Sequence, residues 1–283
     1  MSLSLPSCLF RCFLILLLQL VSSTLQAQGN LLVTPNRIVF EGTQKIQELN
    51  LANTGTDTAS YHISFMEIRM KEDGTFEQIN EPDSGQHFAS SYLRLFPRSV
   101  TLAPNEAQSV KVQLSRSAQI PPGEYRSHLY FRAEPQDNPS ANRNTAGDSA
   151  AISVTLTPVF GITIPAIIRI GTPDTRVSLS DLSLSFKEAI PLLQAVFHRE
   201  GNMSVYGDIR IEHISPKGTV TTAGLLKGVA VYTPTPQRKM NIRLNNTGDI
   251  DYHTGSLRIV YTEHTEQSKT PPKELATAEL ALH

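Results

Sequence analysis

The chain has 283 residues, with 25 Lys and Arg against 26 Asp and Glu and a formal net charge of −1. No basic stripe points to nucleic acid. Beyond the first 27 residues no apolar run approaches the roughly 20 residues of a membrane-spanning helix.

Residues 1–27 read as a cleavable signal peptide. Arg11 and the free amine give positive charge, "FLILLLQLV" is a short apolar core, and "SSTLQA" offers small residues before a cut after Ala27. The competing reading, a membrane anchor, suffers from the shortness of that core. Cys8 and Cys12, the only cysteines, precede it, so the mature chain would enter an oxidising compartment without disulfides. That requires a core large enough to stand alone. The expected destination is an oxidising compartment reached by export, with no membrane insertion of the mature chain.

Past residue 27 almost nothing has a helical period. The first half is divided into "NLLVTPNRIVFEG", "IQELNLANTG", "ASYHISFMEIRM", the turn "KEDGT", "SSYLRLFPRSVTLAPNEAQSVKVQLSR" and "GEYRSHLYFRA". These are strand-like runs separated by Gly, Pro, Asn and Asp. The segment 136–148, "QDNPSANRNTAGD", lacks Val, Ile, Leu and aromatics and reads as a loop. A boundary is expected at "GTPDT". About seven further strand-like runs follow it, from "RVSLSDLSLSF" to "KELATAELAL". The expected fold is all-β: two tandem immunoglobulin-like β-sandwiches, over residues 28–171 and 172–283.

Catalytic motifs are missing. There is no G-x-S-x-G, H-E-x-x-H or G-x-x-x-x-G-K, and the eight histidines form no close-spaced pair. "GTVTTAGLLKG" reads as turn glycines. No enzymatic activity, cofactor or metal is expected. A hydrolase or metal enzyme would need His and carboxylate groups converging from distant strands.

The most specific stretch is 152–170. Ile152, Val154, Leu156, Phe160, Ile162, Ile164, Ala166, Ile168 and Ile170 alternate with small or polar residues. The period is that of a half-buried strand. At ~3.3 Å per residue the run would span about 60 Å, well beyond an ordinary strand. Pro158 and Pro165 lack N–H donors and favour an edge or a bulge over a central strand. Two readings stay open: two buried strands joined at Gly161, or one edge strand whose overhang is covered by a partner through strand addition. Arg37, within the apolar "TPNRIVFEG", needs either an anion or a route to water.

These residues resemble those of the PapD-like periplasmic pilus chaperones. "NRIVFEG" is similar to that family's first-strand signature and "LNLANTGTDTASYHISF" to its second and third strands. Pro97, Leu102, Pro104, Gln108 and Val110 match a further spaced segment, and the resemblance covers Leu31 to about Arg169. It implies an L-shaped arrangement of the two sandwiches and a chaperone that completes pilin-like subunits by donor-strand complementation and passes them to an outer-membrane usher for pilus assembly. It also implies that Ile152, Val154, Leu156, Phe160, Ile162 and Ile164 are the donors and that Arg37 anchors the subunit's C-terminal carboxylate. The family pairs this arginine with a lysine, but no lysine occurs between Lys111 and Lys187. Arg126 and Arg169 are the candidate second cations. An unloaded chain could cap its own edge as a homodimer through the same strand. The alternative function is an exported tandem immunoglobulin-like adhesion or binding module, which should hide residues 150–164.

Overall fold

The computed structural model describes residues 31–115, 120–135, 159–246, 248–265 and 271–282. The signal-peptide segment, the loop 136–148 and the donor candidates Ile152, Val154 and Leu156 lie outside the described residues.

Among the described residues the regular structure is β-strand, apart from a 3-10 turn at Ser90–Tyr92. The first half holds β1 (Leu31–Thr34), β2 (Ile38–Phe40), β3 (Ile46–Asn53), β4 (Ala59–Met66), β5 (Ile68–Met70) and β6 (Phe76–Gln78). It continues through β7 (Leu93–Phe96), β8 (Ser99–Leu102), β9 (Ala107–Leu114), β10 (Gly123–Ala133) and β11 (Gly161–Ile170). One sheet runs β1-β3-β9-β7, the facing sheet β2-β11-β10-β4-β8, and β5 and β6 form a separate hairpin.

"NLLVTPNRIVFEG" is thus not one strand. It breaks at Pro35–Arg37 and changes sheets: β1 pairs antiparallel with β3, and β2 pairs parallel with β11. Pro35 has no N–H to continue a ladder. Arg37 therefore stands at the corner before β2 rather than inside a strand.

Alternation places Leu49, Leu51, Ile63, Val110, Val112, Leu129 and Phe131 between the two sheets with Ile38, Phe40, Ile164, Ala166 and Ile168. Asn53, buried at the end of β3, is satisfied on both ends. Its Nδ2 donates to the carbonyls of Asp57 and Leu102, and its Oδ1 accepts from Gly55 N–H.

The second half holds β12 (Thr175–Lys187), β13 (Ile190–Gly201), β14 (Val205–Ile214), β15 (Val220–Val231), β16 (Gln237–Arg243), β17 (Ser256–Glu263) and β18 (Glu274–Ala281). Its sheets are β12-β13-β16 and β15-β14-β17-β18. A separate core forms around Phe197, Ile209, Ile211, Ile259 and Tyr261. Both halves are therefore two-sheet sandwiches, as alternation and turn spacing predict.

One expectation is overturned here. "GTVTTAGLLKG" is not a run of turns, because Gly224 and Gly228 lie inside β15. Gly228 sits at a register shift with φ +70, and a Cβ there would approach Tyr206 Oη at 2.8 Å. Its N–H donates to Asp208 Oδ1 at 2.8 Å. The glycine serves a bulge and a close approach, a role that reads like a turn in sequence.

Candidate functional site

The site begins with the pleat of β10 and β11. In β10, Tyr125, Leu129 and Phe131 join the first core, so Glu124, Arg126 and His128 face the other way. In β11, Ile164, Ala166 and Ile168 join that core, so Pro165, Ile167 and Arg169 share the outer face with Glu124 and Arg126. Ile167 is fully buried yet belongs to neither core. The second sandwich packs over this face.

Ionic contacts fasten one half of the face. The Glu124 carboxylate is 0% exposed and takes Arg126 Nη2 at 2.8 Å and Arg169 Nε at 3.0 Å. It also accepts the hydroxyl of Ser204 and, at 3.1 Å, its N–H. Burial alone would raise its pKa, but Arg126, Arg169 and these hydrogen bonds bring it down to about 2. Arg169 donates besides to Glu41 and to the Ser204 carbonyl. Arg199, also buried, donates to the carbonyls of Gly201, Met203, Pro234 and Thr235 and thereby shapes the loops that carry these contacts.

The β5–β6 hairpin braces the other side of the interface. Thr235 Oγ1 donates to the Met70 carbonyl at 2.6 Å, Lys239 N–H donates to the Glu72 carbonyl, and Lys239 Nζ lies 2.9 Å from Glu72 Oε2. His128 is buried near Phe76 and Tyr232, at 6.4 and 6.2 Å between ring centroids. Burial, helped by Arg126, lowers its pKa to about 3.

Arg37 is treated differently. Its guanidinium lies 4.0 Å from the Tyr206 ring centre, and its Nε is buried with no hydrogen-bond partner among the described residues. Burial, then Arg126 and Arg169, lowers its pKa. It lines two cavities. One of about 410 Å³ is shared with Arg169, Met203, Tyr206, His264 and Lys273. The other, of about 170 Å³, is shared with Asn36, Arg126, Pro165, Val205, Tyr206 and Tyr232. Of the carboxylates here, Glu124 pairs with Arg126 and Arg169 and Glu41 with Arg169, while Glu263 lines the larger cavity together with Arg37.

The second feature is an open edge. On one side β11 pairs with β10 along its whole length, and on the other β2 covers only Ala166, Ile167 and Ile168. Among the described residues no strand covers Gly161 to Pro165 on that side. Ala133 N–H bonds the Phe160 carbonyl, so the ladder alternation directs the backbone groups of Gly161 and Thr163 away from β10, toward the open side. Pro165 falls in the same series, where a missing donor costs no ladder bond.

Side-chain burial fades along this strand. Ile164 is 4% exposed within the first core, Ile162 packs partly against it, and Phe160 is 50% exposed. Of the predicted donors, then, Ile164 is enclosed by its own sandwich, whereas Ile162 and Phe160 run out of it.

Sequence reasoning singled out Arg37, Arg126 and Arg169, and the fold brings all three to one face. It passed over Glu124, Ser204, Tyr206 and Tyr232. The spacing Glu124, Arg126, His128 on one pleat face was no signal by itself, since a solvated sheet face shows the same pattern.

Among the described residues no group of three or more His, Cys, Asp or Glu could hold a metal ion, and no helix is long and apolar enough to cross a membrane. No protein-family model and no curated protein sequence matches the chain. It is similar in shape to the YadV chaperone, at 10% identity and a TM-score of 0.44 over 90% of this chain and 100% of that one. It is likewise similar to the class 5 fimbriae chaperone CfaA, at 14% and 0.42 over 90% and 99%. The CupB2 chaperone of Pseudomonas aeruginosa is similar at 12% and 0.41 over 89% and 100%. Identities and scores at this level carry no functional inference to this chain.

Proposed function

We propose that this chain is a periplasmic chaperone that captures pilin-like subunits by strand addition and hands them on for pilus assembly. The observation that carries the proposal is the uncovered edge of β11 from Gly161 to Pro165, coupled to the fading burial from Ile164 to Phe160. An apolar edge of this kind is an aggregation hazard that natural proteins blunt, so it calls for a partner. A subunit that lacks one strand supplies the complementary need: backbone pairing for the edge and a groove for Phe160 and Ile162. Leu156, Val154 and Ile152 continue the same alternation in sequence toward the N-terminus.

Arg37 serves as the anchor for the subunit's terminal carboxylate, which a guanidinium can grip through two parallel hydrogen bonds. Arg126 is the second cation: its Nη2 is held by Glu124 and Ser204, but it lines the smaller cavity with Arg37 and keeps a buried Nε without a hydrogen-bond partner among the described residues. Arg169 is taken up by Glu124, Glu41 and the Ser204 carbonyl. Burying each apolar donor contributes ~1.5–3 kcal/mol, partly offset by the cost of association. Capture therefore needs no nucleotide, and release needs a competing strand, with an outer-membrane usher as the acceptor of the loaded complex. When unloaded, the same edge can pair with a second copy.

The test is co-purification of a tagged subunit from the same assembly system with the full chain and with Phe160→Asp/Ile162→Asp. The subunit should be lost from the variant while the melting temperature stays near that of the parent. Equal recovery of the subunit by both proteins would overturn the proposal.

A further inference from the structure

We infer that the anion site is shared between the two sandwiches: the first supplies Arg37 and Arg126, and the second fixes both guanidinium planes through Tyr206 and Tyr232. The inference rests on the anchor reading of Arg37 given above and adds a requirement to it. The site can take a peptide-terminal carboxylate only while the second sandwich is docked.

Four observations converge on it. The Arg37 guanidinium carbon lies 4.0 Å from the Tyr206 ring centre, and that of Arg126 lies 3.7 Å from the Tyr232 ring centre. Both arginines and both tyrosines line the same cavity of about 170 Å³. Each arginine has a buried Nε without a hydrogen-bond partner among the described residues, and Arg126 is only 6% exposed. Tyr206 is itself held from behind. The His264 ring packs edge-on against it at 4.9 Å, and His264 Nδ1 lies 2.8 Å from Asp208 Oδ1.

The physical logic is one of like charges. Arg37 and Arg126 repel one another, and a long flexible guanidinium freed from its tyrosine would swing toward water. A stacked aromatic face attracts the cation and fixes the plane of its edge N–H groups, of which Arg126 has Nη2 engaged by Glu124 and Ser204 and Nε unpartnered. A planar carboxylate matches two such edges. Tyr206 and Tyr232 are thus positioning residues, and the second sandwich acts as part of the receptor rather than as a spacer.

The experiment uses the full chain and a fluorescein-labelled decapeptide of alternating Val and Thr, ending either in a free carboxylate or in an amide. Binding is read by anisotropy. The free acid should bind the parent at least about tenfold more tightly than the amide. Tyr206→Leu and Tyr232→Leu should each weaken the acid by roughly three- to thirty-fold, the range of a desolvated cation–π contact, and leave the amide unchanged. Tyr206→Phe and Tyr232→Phe keep the ring and should stay within about twofold of the parent. If a Leu variant fails to melt like the parent, Met at the same position takes its place.

Leu variants that bind the acid like the parent, while Arg37→Ala does not, would overturn the shared site and leave the anchor standing. If Arg37→Ala also binds like the parent, or acid and amide bind the parent equally, the anchor itself falls and the shared site with it.

Discussion

Arg169 and Arg37 lie on the same face of the first sandwich and meet opposite fates. Arg169 reaches Glu124, Glu41 and the carbonyl of Ser204, whereas Arg37 has a tyrosine ring and a buried Nε without a hydrogen-bond partner among the described residues. Glu124 has its oxygens filled by Arg126, Arg169 and Ser204, and among the described residues Arg37 forms no ion pair. The contrast separates two jobs. A charge with its counter-ions in place holds the sandwiches together. A half-buried charge without one is costly by itself and makes sense where a ligand brings the anion.

The largest effect should come from breaking the satisfied side. Glu124→Gln leaves Arg126 buried without a counter-charge and Arg169 with Glu41 alone, and breaking a buried pair in this way costs about 3–5 kcal/mol. Thermal unfolding should show a large loss and, with it, a looser interface. The open edge comes next. Phe160→Asp with Ile162→Asp removes two apolar donors at ~1.5–3 kcal/mol each, so subunit capture should fall by a hundredfold or so, with only a modest drop in melting temperature from the partial packing of Ile162 against the first core.

Arg37→Ala should weaken capture by about tenfold, ~1.4 kcal/mol, and leave stability unchanged or slightly higher. A clear loss of stability would place Arg37 with Arg169 as a structural cation and erase the contrast. A separate effect concerns acid. The pKa of Glu124 falls from an ordinary 4.5 to about 2, so its contribution is complete above pH 4.5 and is lost as pH drops toward 2. That of His128 falls from 6.5 to about 3, so the unfolded chain takes up this proton first and stability declines from pH 6.5 toward 3. His128→Phe should flatten the slope between pH 6.5 and 4.5 and leave the steeper acid limb in place, as measured by denaturant midpoints across that range.

Much of this was legible in the sequence where one local rule decides. The strands of the second half and the alternation within β11 follow from period and turn residues, while the longer run expected from Ile152 lies outside the described residues. What was not legible depends on distance in the chain. Glu124 and Ser204 meet across 80 residues, and Tyr206 reaches Arg37 only because two sandwiches dock. The break at Pro35–Arg37 was hidden because both halves of that segment are apolar and alternate correctly, each for a different sheet. Gly228 was misread because a bulge inside a strand and a turn between strands ask for the same residue.

β2 spans three residues, Ile38–Phe40, and its partners on β11 stop at Ala166. Its brevity works as a doorstop. Were the segment before Ile38 to zip onward along β11, each added residue would shut off a further stretch of backbone, and Thr163 and Gly161 would soon be out of reach. Pro35 and the corner at Arg37 prevent that zipping, so the few residues that switch sheets also set how wide the entrance stands.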